Sequence, residues 1–185
     1  SLGNLTALKV LNLTSNHLEQ SIPSQLGNLT NLITLTLMNN RLTGEIPESL
    51  ENLGKLQSLD LSYNRLERFA SGLQLGKLTA LTSLGLNNNN LAGQHIPADL
   101  GSLKKLNYLN ASNSKLAGSI PTGLGGCTVL AGLNLENNLL EGALPKELGN
   151  LQNLGVLRLG NNRLTGIHAD VGKARNLLEW DMANN

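Results

Sequence analysis

The stretch "NNRLTGEIP", Asn39 to Pro47, decides the fold because it returns. It comes back as "NNNLAGQHIP" from Asn88, "NSKLAGSIP" from Asn113, "NNLLEGALP" from Asn137 and "NNRLTGIHA" from Asn161. Working outward, the chain aligns on L-x-x-L-x-x-L-x-L-x-x-N-x-L. The first Leu position falls at Leu5, Leu29, Leu53, Leu78, Leu103, Cys127, Leu151 and Ala174. Residues 1–185 therefore read as one domain of about eight units, each 23–25 residues long by those position numbers. The chain starts and stops inside a unit, which reads as a piece of a larger protein.

Two Leu that sit two apart, such as Leu35 and Leu37, face one side of a strand, and their neighbours face the other. One unit cannot bury its Leu alone, but stacked units bury a continuous column. The expected product is a parallel sheet. The Asn position reads Asn16, Asn40, Asn64, Asn89, Asn138, Asn162 and Asn185, interrupted once by Ser114. A buried Asn must satisfy its donors and acceptor. Backbone groups of the neighbouring coils can do so, which predicts an Asn ladder with a weaker rung at Ser114. Pro23, Pro47, Pro97, Pro121 and Pro145 all follow Ile or Leu in one position, as expected outside the main sheet.

The chain resembles the leucine-rich repeat family, and its "L-x-G-x-I-P-x-x-L-G-x-L" half resembles the plant-type subclass. The resemblance implies an α/β solenoid: a right-handed superhelix with a parallel concave β-sheet and an irregular or 3₁₀ convex side. It also implies a short extra strand after each Asn. Two units depart from the pattern, "ERFASGLQLGKL" (67–78) and "GQHIP" (93–97). Both changes fall on the return side, so they are expected to bulge outward and leave the main sheet intact.

Composition narrows the function. Aromatics make only 2% of the chain, so the core is nearly uniform Leu. A net charge of +1 gives no argument for nucleic acid or an anionic membrane surface. No apolar run reaches a membrane span. His17, His95 and His168 occupy distant units and cannot share a metal. Cys127 fills a core Leu position and reads as a small buried hydrophobe. Trp180 fills another and reads as an end plug. No motif calls for a cofactor, and no convergent groups mark an enzyme.

The positions that the repeat leaves free are the outward residues around each L-x-L. Among them Tyr63 and Tyr108 are the only aromatics, two units apart, and aromatics commonly anchor interfaces. Asp60, Arg158, Met38, Glu136, Asn110 and Asn134 complete the candidate ligand-binding set. Tyr108 is flanked in its column by Ser83 and Gly132, both small, and is expected to stand proud of the sheet. A second stripe, including Arg41, Arg65, Lys115 and Arg163, is expected to form a solvated rim.

The resemblance extends to ectodomains of plant receptor-like kinases and to polygalacturonase-inhibiting proteins. It implies non-catalytic recognition of a peptide, glycan or partner protein on the concave face, at the cell surface or outside the cell. The "LGNLTAL" and "LGKLTAL" runs also resemble the arrays of intracellular Roco GTPases, which would make the chain a cytoplasmic scaffold. Ice binding fits less well, because the outward columns are irregular. The sequons at Asn4, Asn12, Asn28 and Asn110 favour secretion only slightly, since the repeat itself generates "NLT".

Overall fold

A computed structural model describes residues 2–185; Ser1 lies outside the described residues. Strands are numbered in chain order. Eight three-residue strands build the concave sheet: β1 (Val10–Asn12), β3 (Thr34–Thr36), β5 (Ser58–Asp60), β7 (Ser83–Gly85), β8 (Tyr108–Asn110), β10 (Gly132–Asn134), β12 (Val156–Arg158) and β14 (Glu179–Asp181). They pair in that order, all parallel. The central Leu of each strand pins the register, from Leu11↔Leu35 onward to Leu157↔Trp180. A slip of one residue would turn every Leu out to solvent.

The Leu column is the core. Leu35, Leu59, Leu84, Leu109, Leu133 and Leu157 are all buried, as are the Leu that start and end the later coils, whereas Leu5 and Leu18 of the first coil are exposed. Burying one Leu contributes roughly 1.5–3 kcal/mol, so each coil is held by its neighbours more than by itself. The return side carries 3₁₀ turns. Pro23, Pro47, Pro97, Pro121 and Pro145 each cap the N-terminus of such a turn with φ between −59° and −72°. Proline fits there because its φ is preset and the first N–H of a turn has no partner to lose. In the last unit His168 takes the position, and its Nδ1 accepts from Asp170 N at 3.2 Å.

The Asn ladder forms as expected. Asn64 Nδ2 donates to Leu37 O one coil back (3.0 Å) and to Leu61 O in its own coil (3.1 Å), while its Oδ1 accepts from Leu42 N (3.0 Å). Asn40, Asn89, Asn138, Asn162 and Asn185 repeat the pattern. Asn16 donates only within its own coil and is exposed. Ser114 Oγ reaches Leu86 O (2.9 Å) and Ser112 O (3.1 Å), but among the described residues nothing accepts from Leu91 N.

That weak rung coincides with a break in the outer sheet. The short return strands form two separate three-stranded sheets. One holds β2 (Glu19–Ser21), β4 (Arg41–Ile46) and β6 (Arg65–Phe69); the other holds β9 (Ala117–Gly118), β11 (Leu139–Leu144) and β13 (Arg163–Ile167). Between them lies the "GQHIP" unit, where an extra residue and the missing acceptor for Leu91 N leave only a bridge from His95 to Ala117. The Gln94 side chain substitutes for a strand there: its Oε1 accepts from Phe69 N at 3.3 Å. The concave sheet runs past this point unbroken, as expected for an insertion on the return side.

Cys127 is buried, its Sγ is 3.1 Å from Leu100 O, and burial pushes its thiol pKa up. Trp180 occupies the core side of the last strand but is 40% exposed, because no coil covers it in the structure.

Candidate ligand-binding face

The register places the outward residues in straight columns. Val10, Thr34, Ser58, Ser83, Tyr108, Gly132, Val156 and Glu179 are successive partners, as are Asn12, Thr36, Asp60, Gly85, Asn110, Asn134, Arg158 and Asp181. Along the second column Asn12, Asp60, Asn110, Asn134 and Asp181 fold their Oδ1 back onto the N–H two residues on, at 2.8–3.1 Å. These side chains therefore close the strand ends, whatever else they do. Asn110 and Asn134, named from sequence as ligand contacts, carry this structural duty.

A hollow of about 320 Å³ opens in the middle of the face. Its floor is β7 with the residues beside it: Ser83, Gly85 and Asn87. Asp60, Tyr63 and Met38 wall one side, Tyr108 and Asn110 the other. Five of the sequence candidates meet here. The floor residues were missed, and the signal was Gly85 standing next to Asp60 in one column. A second hollow of about 240 Å³ is lined by Leu2, Leu13, Leu18 and Leu37 and is the uncovered end of the Leu column. Glu19, Gln20 and Ser21 also border it, but it opens on the core side of the repeats and not on the outward positions, so the central hollow is the better candidate site.

Three geometries shape the site. The residue before each ladder position is left-handed in every unit: Ser15, Asn39, Asn88, Asn113, Asn137, Asn161 and Asn184 have φ between 54° and 58°. Asn suits that conformation because its short polar side chain tolerates it. Tyr63 occupies the same position at φ 54°, where a bulky residue is an outlier. Next, Tyr108 does not stand proud. A Cβ on Gly132 would lie 2.7 Å from Tyr108 Cδ2, so the ring leans over the Gly132 backbone, away from the hollow floor. It remains 44% exposed, and Tyr63 49%. Asp60 leans the same way over Gly85, whose Cβ would lie 2.7 Å from Oδ1.

Arg158 and Glu136 sit apart from this group, toward the C-terminal strands. Arg158 forks onto Glu179 across neighbouring strands, Nε to Oε1 at 2.5 Å and Nη2 to Oε2 at 3.1 Å. That hydrogen bond holds the Glu179 carboxyl below its ordinary pKa and raises that of Arg158. On the rim, Arg41 pairs with Glu19 (3.1 Å) and Lys115 Nζ donates to Asn90 Oδ1 (2.8 Å).

A family model described as "Leucine-rich repeat region" matches residues 1–127, and another described as "Leucine Rich Repeat" matches residues 130–151. The chain belongs to the leucine-rich repeat family. No curated protein matches this repeat chain. Among solved structures, the repeat array of PEPR1 in its complex with AtPEP1 is 35% identical, with TM-score 0.79, over 98% of this chain and 29% of that one. The Arabidopsis receptor kinase HAESA, in complex with the peptide hormone IDA and the co-receptor SERK1, is 34% identical, with TM-score 0.87, over 94% of this chain and 29% of that one. A leucine-rich repeat protein of Leptospira interrogans is 31% identical, with TM-score 0.69, over all of this chain and 51% of that one. The chain thus spans less than a third of each of these two receptor chains, and its plant-type repeat is shared with them.

Proposed function

We propose that this chain is a non-catalytic recognition module that binds an extended peptide, or a segment of a partner protein, across the central hollow of its concave face. Tyr63 carries the reading. The fold supplies Asn at that position in most units, yet here a tyrosine is held in a left-handed conformation at the edge of the hollow. Strain of this kind persists where a side chain is used. Similarity to receptor arrays crystallised with peptides supports the ligand class and a cell-surface or secreted location. A glycan would be the second ligand class, favoured by the polar floor of Ser83 and Asn87.

The test uses short random peptides displayed on phage, panned against the whole chain, with the best binder then synthesised. Hydrogen exchange of the complex should slow at the amides of β5, β7 and β8. The Tyr63→Asn, Tyr108→Ala double variant should lose the peptide. Protection confined to the 3₁₀ turns or the outer sheets would place binding elsewhere and end this reading.

A further inference from the structure

We propose that the hollow is built for a cationic side chain, an arginine or lysine of the bound segment, held by Asp60 beside the Tyr63 and Tyr108 rings. This rests on the reading above that the hollow is the binding site, and it adds the chemistry of the group that enters.

Charge is the first argument. Asp60 is the one charged residue among those lining the hollow. Across the outward columns the acids are Asp60, Glu136, Glu179 and Asp181, while the base is Arg158, and Arg158 is already committed to Glu179. The face is therefore negative although the chain as a whole carries +1. The compensating bases lie on the rim and in the outer sheet; Arg65, the nearest in sequence to Tyr63, belongs to β6.

The geometry of Asp60 is the second argument. Its Oδ1 is used up, accepting from Ser62 N (2.9 Å) and Ser62 Oγ (2.5 Å). Its Oδ2 accepts nothing among the described residues, and the side chain is half-buried beside the open floor of β7. Glycine at position 85 lets it lie there. A half-buried carboxylate with one free oxygen and no cation is an unfilled charge-assisted acceptor. Tyr63 and Tyr108 line the hollow and are about half exposed, so a guanidinium or ammonium entering it meets aromatic surface as well.

The fold provides a clean variant. Units one, five and six carry Asn12, Asn110 and Asn134 at the same position, each with Oδ1 on the same N–H. Asp60→Asn therefore keeps the strand-end hydrogen bond and removes only the charge, so the chain should fold and melt as before. The peptides selected on the wild-type chain should be enriched in arginine or lysine. The leading peptide should bind Asp60→Asn at least about tenfold more weakly. Exchanging its arginine for citrulline, or its lysine for glutamine, should weaken binding to wild type similarly and leave binding to Asp60→Asn nearly unchanged. Peptides that need Tyr63 and Tyr108 but neither a cation nor Asp60 would overturn the cation assignment and leave the binding site standing. Peptides indifferent to both tyrosines would overturn the site itself. A selection yielding no Asp60-dependent binder also overturns the assignment.

Discussion

Asn138 ties down the coil that carries Ser114: its Oδ1 accepts from Ser114 N at 3.2 Å and from Leu116 N at 2.9 Å. One carboxamide thus joins the coils of β9 and β11, next to the gap in the outer sheet between β6 and β9. Asn138→Ala should cost about 3 kcal/mol, because it strands several buried groups at once. Asn16→Ala, at the exposed end of the ladder, should cost about 0.5 kcal/mol. Denaturant unfolding of the two variants checks the contrast; equal losses would mean that the ladder does not hold the middle of the array.

The converse change should stabilise. Ser114→Asn would give Leu91 N an acceptor and restore the missing rung. A gain of about 1 kcal/mol is expected, read as a rise in melting temperature. No gain would show that the extra residue near Gln94, and not the missing acceptor, breaks the outer sheet.

Tyr63 predicts a trade between stability and binding. Tyr63→Asn places the residue that other units use into the left-handed position and should stabilise the chain by about 0.5–1 kcal/mol. Binding of a concave-face peptide should fall in the same variant. A variant that loses stability would mean that the Tyr63 ring, not the backbone, dominates at this position.

Tyr108 and Gly132 form a second test. Tyr108→Ala should weaken peptide binding roughly 30-fold if the ring contributes about 2 kcal/mol. Its stability cost should stay near 1 kcal/mol, because the ring is only half-buried over Gly132. Gly132→Ala should lift the ring off the sheet, altering the near-ultraviolet circular dichroism of tyrosine while the far-ultraviolet spectrum stays unchanged. An unaltered tyrosine signal would contradict the packing.

Acid should loosen the array. Hydrogen bonds from Arg158, Lys77 and Lys173 hold the carboxyls of Glu179, Glu51 and Asp170 below their ordinary pKa values. A carboxyl whose folded pKa is depressed contributes stability that is present above its unfolded pKa and lost as pH falls through the folded value. Glu179 and Asp170 are open to solvent and Glu51 is more covered, so the loss is modest, and it belongs to the window at and below the ordinary carboxylate range. The Arg158–Glu179 and Lys77–Glu51 pairs each join neighbouring coils. Glu179→Gln should flatten part of the fall in denaturant midpoint between neutral pH and about pH 3. A slope identical to wild type would rule out that pair as a contributor.

The Leu pairs, the Asn ladder, the prolines and even the column partners on the concave face were legible in the amino-acid sequence. The reason is local: a period of two turns Leu35 and Leu37 inward, every coil repeats the rule, and stacking then admits one register. The site was legible only in part. The row Asn39, Asn88, Asn113, Asn137 and Asn161 already signalled a left-handed position, which makes Tyr63 an exception on inspection. The lean of Tyr108 over Gly132, the fork of Arg158 onto Glu179, the lean of Asp60 over Gly85 and the break between β6 and β9 belong to the tertiary structure. Each depends on what the adjacent coil presents about 5 Å away across the sheet, some 24 residues distant along the chain. A repeated pattern determines where a side chain is mounted; only the neighbouring coil decides which way it falls and whether its charge is left unpaired.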